Sequence, residues 1–163
     1  MGGGSMIKVL FVCMGNICRS PTAHGVFEAL IKSEGLDAQI EVDSAGTHAY
    51  HVGELPDRRS QQTALRRGLD LDYQRARKVL AEDMRIFDYI LAMDEANLQD
   101  LKSICPDAHH EKLALFMSFA PDFGQREVPD PYYGGDQGFD HVFDMVEEAS
   151  KGLLENLRKR HRL

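Results

Sequence analysis

From Ile7 to Val12 the chain is apolar at every position but Lys8, and a glycine follows at position 15. So short a run reads as a strand covered on both faces rather than as a helix. The period then changes. Ala23, Val26, Phe27, Leu30 and Ile31 fall at i, i+3, i+4, i+7 and i+8, the stripe of an amphipathic helix. Ser20 suits its N-cap, Pro21 its first position and Gly35 its end. Further on, Ile40 to Val42 predicts a brief strand, Arg58 to Arg67 a helix closed near Gly68, and Ile86 to Met93 a second strongly apolar strand. Asp94 is placed to cap a helix carrying Leu98 and Leu101, and Lys112 to Leu115 reads as one more strand. Pro121 to Gly138 is dense in Pro, Gly and Asp, the chemistry of a long loop. From Phe139 the apolar positions Val142, Phe143, Val146, Ala149, Leu153, Leu154 and Leu157 mark a long final helix.

Strands alternating with helices predict the α/β class: a small central parallel sheet of about four strands with helices on both faces. Ligands of such sheets sit at the carboxyl ends of the strands, which directs attention to the loop after Val12. Length and composition agree with one compact domain, at 163 residues, 43% apolar and 28% charged. Residues 1–5 read as a cloning scar and 6–163 as the single domain. The formal net charge of −7 excludes a general nucleic-acid binder, which needs a basic face. No apolar run approaches the roughly 18 residues of a membrane span, so a cytoplasmic protein without a membrane partner is expected. Cys13, Cys18 and Cys105 are too few, and odd in number, for a disulfide framework.

The loop Cys13-Met14-Gly15-Asn16-Ile17-Cys18-Arg19-Ser20-Pro21 runs from a strand end into a helix N-terminus. Its backbone N–H groups can converge there into a nest for a tetrahedral anion. Gly15 and Asn16 are residue types that tolerate the left-handed backbone of such a curl. The Arg19 guanidinium can hold two oxygens of one phosphate, and a Cys13 thiolate facing the anion would be stabilised by the helix terminus, by Arg19 and by the loop amides. A buried cysteine and a surface arginine at an ordinary strand-to-helix turn would show no such company of Gly, Asn and Ser.

Val12 to Pro21 resembles the active-site loop of the low-molecular-weight protein tyrosine phosphatases. Asp43-Ser44-Ala45-Gly46-Thr47, Asp88-Tyr89-Ile90-Leu91-Ala92-Met93-Asp94 and Asp130-Pro131-Tyr132-Tyr133-Gly134 are similar to three further segments of that family, in order. The resemblance implies a metal-free and cofactor-free phosphomonoesterase acting on a phosphotyrosine-containing protein or a small aryl phosphate. Cys13 would be the nucleophile that forms a cysteinyl phosphate, Arg19 the phosphate ligand and Asp130 the general acid. Met14, Gly15, Asn16, Ile17, Cys18 and Ser20 would line the phosphate or other oxyanion, with Asn16, Ser20 and Ser44 supporting the loop. Tyr50, Tyr132 and Tyr133 would wall a slot deep enough for a phosphotyrosine ring. Cys18 would be a redox partner that guards Cys13 through a reversible disulfide. Gln74 stands where well-known members carry a histidine, and Tyr50 where many carry tryptophan, which this chain lacks altogether.

Two other readings compete. A thiol-dependent arsenate reductase shares this fold and loop but needs a relay of further cysteines, and none lies between Val79 and Ile104. A catalytically inactive phosphotyrosine-binding module would be expected to lack Cys13, Arg19 or Asp130, all of which are present. Cys105 to His110 superficially offers metal ligands without the second half of a zinc site. A monomer or weak dimer is expected.

Overall fold

The computed structural model describes residues 6–133 and 136–163, so residues 1–5, with the cloning-scar reading, and Gly134 lie outside it. Four parallel strands, β1 (Ile7–Cys13), β2 (Ile40–Gly46), β3 (Tyr89–Ala92) and β4 (Leu113–Leu115), form one sheet in the order β2-β1-β3-β4. The helices are α1 (Arg19–Ser33), α2 (Arg58–Arg66), α3 (Asp83–Ile86), α4 (Glu95–Ile104) and α5 (Asp136–His161).

Why β1 shows no polar alternation is plain from its two faces. Val9 and Phe11 pack with Phe27 and Ile31 of α1 and Val146 and Leu153 of α5, whereas Leu10 and Val12 pack with Met84 and Leu98 and Leu101 of α4. Each such side chain withdrawn from water stabilises the fold by about 1.5–3 kcal/mol. Phe11 also meets Phe27 and Phe116 edge-on, with centroids 5.8 and 5.0 Å apart. Gly35 closes α1 as expected, in the left-handed conformation (φ 71°), with the Gly35 and Leu36 amides donating to the Lys32 and Ile31 carbonyls.

The chain steps from β1 outward to β2, then crosses back past β1 to β3. The loops after β1 and β3 therefore part at the carboxyl edge and open a crevice there.

Several boundaries move. The second apolar run is a strand only over Tyr89–Ala92, because Ile86 ends the short helix α3, whose Asp83 carboxylate accepts from the Leu80 amide and pairs with Arg77. Apolar content alone does not separate such a turn from the strand that follows. β2 runs four residues beyond Val42, through polar Asp43 and Ser44, which hydropathy reads as a strand's end. Within the expected Pro121 to Gly138 loop, Pro121–Phe123 and Pro131–Tyr133 form 3₁₀ turns, and α5 already begins at Asp136.

Candidate active site

Residues 14–18 join β1 to α1 in a tight curl. Asn16 takes the left-handed conformation (φ 58°) that asparagine tolerates better than most side chains, and its amide donates to Cys13 Sγ at 3.3 Å. Gly15 does not share that conformation, and its constraint is steric: a Cβ there would meet His51 Cδ2 at 3.1 Å. Ser20 is not the N-cap either. Cys18 holds that position, and the Ser20 hydroxyl, one turn in, instead contacts Cys13 Sγ at 3.0 Å and receives Asn16 Nδ2 at 2.8 Å.

The curl is pressed against the end of β2. Thr47 N donates to Cys13 O, and His48 N to Met14 O, at 2.9 and 3.0 Å. A Cβ on Gly46 would come within 2.8 Å of Met14 O and 3.1 Å of Gly15 C, backbone atoms that cannot rotate away. Gly46→Ala is expected to lower stability by about 1–3 kcal/mol through overpacking and to abolish the rise in melting temperature that inorganic phosphate produces in the wild type. Thermal melts with and without phosphate measure both effects.

Arg19 is almost wholly buried, at 3% exposure. Its Nη1 donates to Asp94 Oδ2 at 2.6 Å and to the Val128 carbonyl at 3.0 Å, while Nη2 lies 3.7 Å from Asp130 Oδ2. Burial works against its charge, but Cys13, Asp94 and Asp130 outweigh that, and its pKa is raised. Asp94 serves two elements at once: Oδ1 accepts from Asn97 N to cap α4, and Oδ2 fixes Arg19. Asp130 accepts from Tyr132 N at 3.0 Å, which aims its second oxygen across the crevice.

These residues surround a cavity of about 170 Å³ lined by Cys13, Met14, Gly15, Ile17, Cys18, Arg19, Tyr50, His51, Asp130 and Tyr132. Tyr50 is 70% exposed at its mouth and stacked on His48, and Arg59 lies over the Tyr132 ring at 5.4 Å. Asn16, Ser20 and Ser44 are buried and do not line it. The Tyr133 side chain lies outside the described positions. Cys18 borders the cavity as a thiol: burial first, then Asp57, pushes its pKa up to about 12 against the opposing Ser60 hydroxyl. Cys105 packs in the core with Leu98 and Leu101 of α4, away from the cavity. Gln74 is buried and donates to the Pro21 carbonyl at 2.9 Å. Among the described residues no cluster of three His, Cys, Asp or Glu side chains could hold a metal, and no helix is long and apolar enough to cross a membrane.

Sequence reasoning passed over Asp94 as a site residue, along with the Val128 carbonyl, His51 and the contact of His24 with Ser44. For Asp94 the signal existed, since it follows a strand at the sheet's carboxyl edge, but its fitness as a helix cap explained it first. A backbone carbonyl leaves no sequence signal.

The family described as low molecular weight phosphotyrosine protein phosphatase matches this chain over residues 8–163. A Schizosaccharomyces pombe protein named low molecular weight phosphotyrosine protein phosphatase is 40% identical over 152 residues, 93% of this chain and 97% of the relative. The crystal structure of YfkJ from Bacillus subtilis superposes with a TM-score of 0.92 at 38% identity, covering 98% of this chain and 99% of that one. A protein tyrosine phosphatase from Entamoeba histolytica, crystallised with Hepes in its active site, gives 0.91 at 40% identity over 96% and 99% of the two chains. With sequence and fold alike over nearly the whole length, this chain belongs to the low molecular weight phosphotyrosine protein phosphatase family.

Proposed function

We propose that residues 6–163 act as a single phosphatase domain that hydrolyses phosphotyrosine and small aryl phosphate monoesters through a phosphorylated Cys13. The observation that carries this reading is one cavity shared by a thiol, a preset guanidinium and a carboxylate: Cys13, Arg19 and Asp130. The Entamoeba histolytica relative holds Hepes, a sulfonate-bearing molecule, in its active site, which is in keeping with a site for tetrahedral oxyanions.

The steps follow from the groups in place. Cys13 Sγ attacks phosphorus in line with the ester oxygen, forming an S–P bond as the P–O bond breaks. Two donors, Ser20 Oγ and Asn16 N, face the sulfur as a thiolate. Arg19 holds the equatorial oxygens as charge spreads over them, and because Asp94 and Val128 already fix Nη1, little reorganisation is needed at the moment of reaction. Asp130, entering protonated, gives its proton to the leaving phenolate. As a carboxylate it then takes a proton from the water that attacks the cysteinyl phosphate, releasing inorganic phosphate and the Cys13 thiolate. Tyr50 and Tyr132 wall the approach, so that the reach of a tyrosyl ring, rather than the phosphate alone, selects the substrate.

A reducing, cytoplasmic setting fits this chemistry, since all three cysteines are buried free thiols and the reaction depends on one of them, and we take the protein to work there as a monomer or weak dimer. Cys18 is the residue for a protective disulfide with Cys13. Once a peroxide has oxidised Cys13 to a sulfenic acid, Cys18 Sγ would close the disulfide with loss of water, and its raised pKa makes that step slow.

Hydrolysis of matched phosphotyrosyl and phosphoseryl peptides, in reducing buffer with a chelator, tests the reading. The tyrosyl peptide should be cleaved at least about 100-fold faster, and the chelator should leave the rate unchanged. An inert enzyme, or one that the chelator silences, would refute it.

A further inference from the structure

Behind the thiol, a chain of hydrogen bonds continues inward from Ser20 through Asn16 to Ser44, and counting protons sets its direction. Asn16 Oδ1 accepts from the Arg77 amide at 3.0 Å, so Nδ2 is the end that faces the two hydroxyls. Its two hydrogens go to Ser20 Oγ at 2.8 Å and to Ser44 Oγ at 3.1 Å. Ser20 keeps its own hydrogen for Cys13 Sγ. Ser44 likewise has one hydrogen left to give, and two acceptors are within reach. His24 Nδ1 lies at 3.2 Å and Gln74 Oε1 at 3.5 Å. The ring nitrogen is the nearer.

The imidazole itself is clamped from the far side. Nε2 faces Glu28 Oε2 at 3.6 Å, which suits a proton on Nε2 and a lone pair on Nδ1. The contact with His24 is the first cause holding the Glu28 carboxyl below its usual range, and the Tyr73 phenol adds to it. The Tyr73 ring stands edge-on to His24, with centroids 5.8 Å apart and planes at 83°. Gln74 is committed elsewhere, with Nε2 on the Pro21 carbonyl.

We infer that His24 is a positioning residue of the phosphatase reaction: its Nδ1 accepts the Ser44 hydroxyl hydrogen, which turns the Ser44 oxygen to receive Asn16 Nδ2 and, through that amide, leaves the Ser20 hydrogen for the Cys13 sulfur. Without that acceptor the Ser44 hydroxyl has only the long contact to Gln74. The Ser44 oxygen is then free to turn away from Asn16 Nδ2, and the Asn16–Ser20 pair loses its inner support, with only the Arg77 amide left to hold it. The role sits on α1, in the middle of a helix, where a buried histidine otherwise passes for a core residue. It reaches the thiol through two hydroxyls and an amide and touches no substrate.

The inference rests on the phosphatase reading, and its test separates the two. His24→Phe keeps a ring but removes the acceptor, whereas His24→Asn places a side-chain oxygen near the Nδ1 position. In steady-state hydrolysis of p-nitrophenyl phosphate, His24→Phe should lower kcat by about 10-fold or more and leave KM within about twofold. His24→Asn should recover most of that loss. Ser44→Ala should lower kcat to a similar degree, and the double variant His24→Phe/Ser44→Ala should fall no further, because both remove one relay. The inference is overturned if His24→Phe keeps the wild-type kcat, if Asn and Phe lower it equally, or if the double variant loses the product of the single effects. An inert wild type would instead sink the phosphatase reading itself.

Discussion

Replacement of Cys13 by serine is expected to reduce hydrolysis of aryl phosphates by at least about 10⁴-fold, or about 5.4 kcal/mol of transition-state stabilisation, while phosphate still binds. The substitution is nearly isosteric and leaves Arg19, Asp94 and the loop backbone in place, so anion affinity should survive. What disappears is the nucleophile. A serine oxygen in this position keeps its proton, and the groups facing it are an alcohol, the Ser20 hydroxyl, and a backbone amide, that of Asn16. Neither can act as the base that an alcohol would need. Steady-state rates paired with thermal melts in phosphate make the separation visible. The variant should melt higher with phosphate and turn over nothing measurable. Alkylation provides a second view. Iodoacetamide near neutral pH should inactivate the wild type by labelling Cys13, with phosphate protecting. Cys18, pushed up to about 12, should stay unlabelled in the native protein because almost none of it is thiolate at that pH. A Cys13→Ser protein retaining more than a hundredth of the wild-type rate would exclude the covalent mechanism.

The parts of this enzyme legible in sequence are those compressed into one stretch of chain. β1, the anion loop and the start of α1 are contiguous, so a doubly buried strand, a curl of Gly and Asn, and Arg19 could be read together. The succession of strands and longer helices along the chain, though not the short α3, followed from their alternating periods. What stayed hidden depends on distant segments meeting. Gly46 is glycine because the carbonyl of Met14, in the loop after β1, passes within 2.8 Å of where its Cβ would stand, and nothing local in β2 announces that. Asp94 and Val128 hold Arg19 from positions 75 and 109 residues away. Near the end of β2, Ser44 points into the relay behind the thiol and Asp43 pairs with Arg77, and these two polar residues made the strand look shorter than it is.

Net charge takes on a local meaning in the same way. The protein carries −7 overall, and two of its carboxylates, Asp94 and Asp130, flank the very guanidinium that must bind a dianion. Asp94 is spent on orientation, its charge largely cancelled by Arg19. Asp130 is different: as a carboxylate it competes with phosphate for Arg19 Nη2, whereas protonated it does not. The carboxyl that must hand a proton to the leaving group in the first step thus stands directly beside the anion site.

Asp130→Asn retains an oxygen able to accept from Tyr132 N, so the loop should hold its shape. It removes the transferable proton. With a poor leaving group such as phenyl or tyrosyl phosphate, kcat should fall by about 10²–10⁴-fold. With a leaving group stable as its anion the loss should shrink, so that a plot of log kcat against leaving-group acidity is steeper for the variant than for the wild type. The second step also loses its base. Reactive substrates should therefore give a burst of phenol, followed by slow turnover as the cysteinyl phosphate accumulates. Phosphate, meanwhile, should inhibit the variant at equal or lower concentration, because a negative charge 3.7 Å from Arg19 Nη2 is gone. Weaker phosphate binding together with an unchanged leaving-group slope would mean that Asp130 serves the anion site rather than the leaving group, and another proton donor would have to be sought.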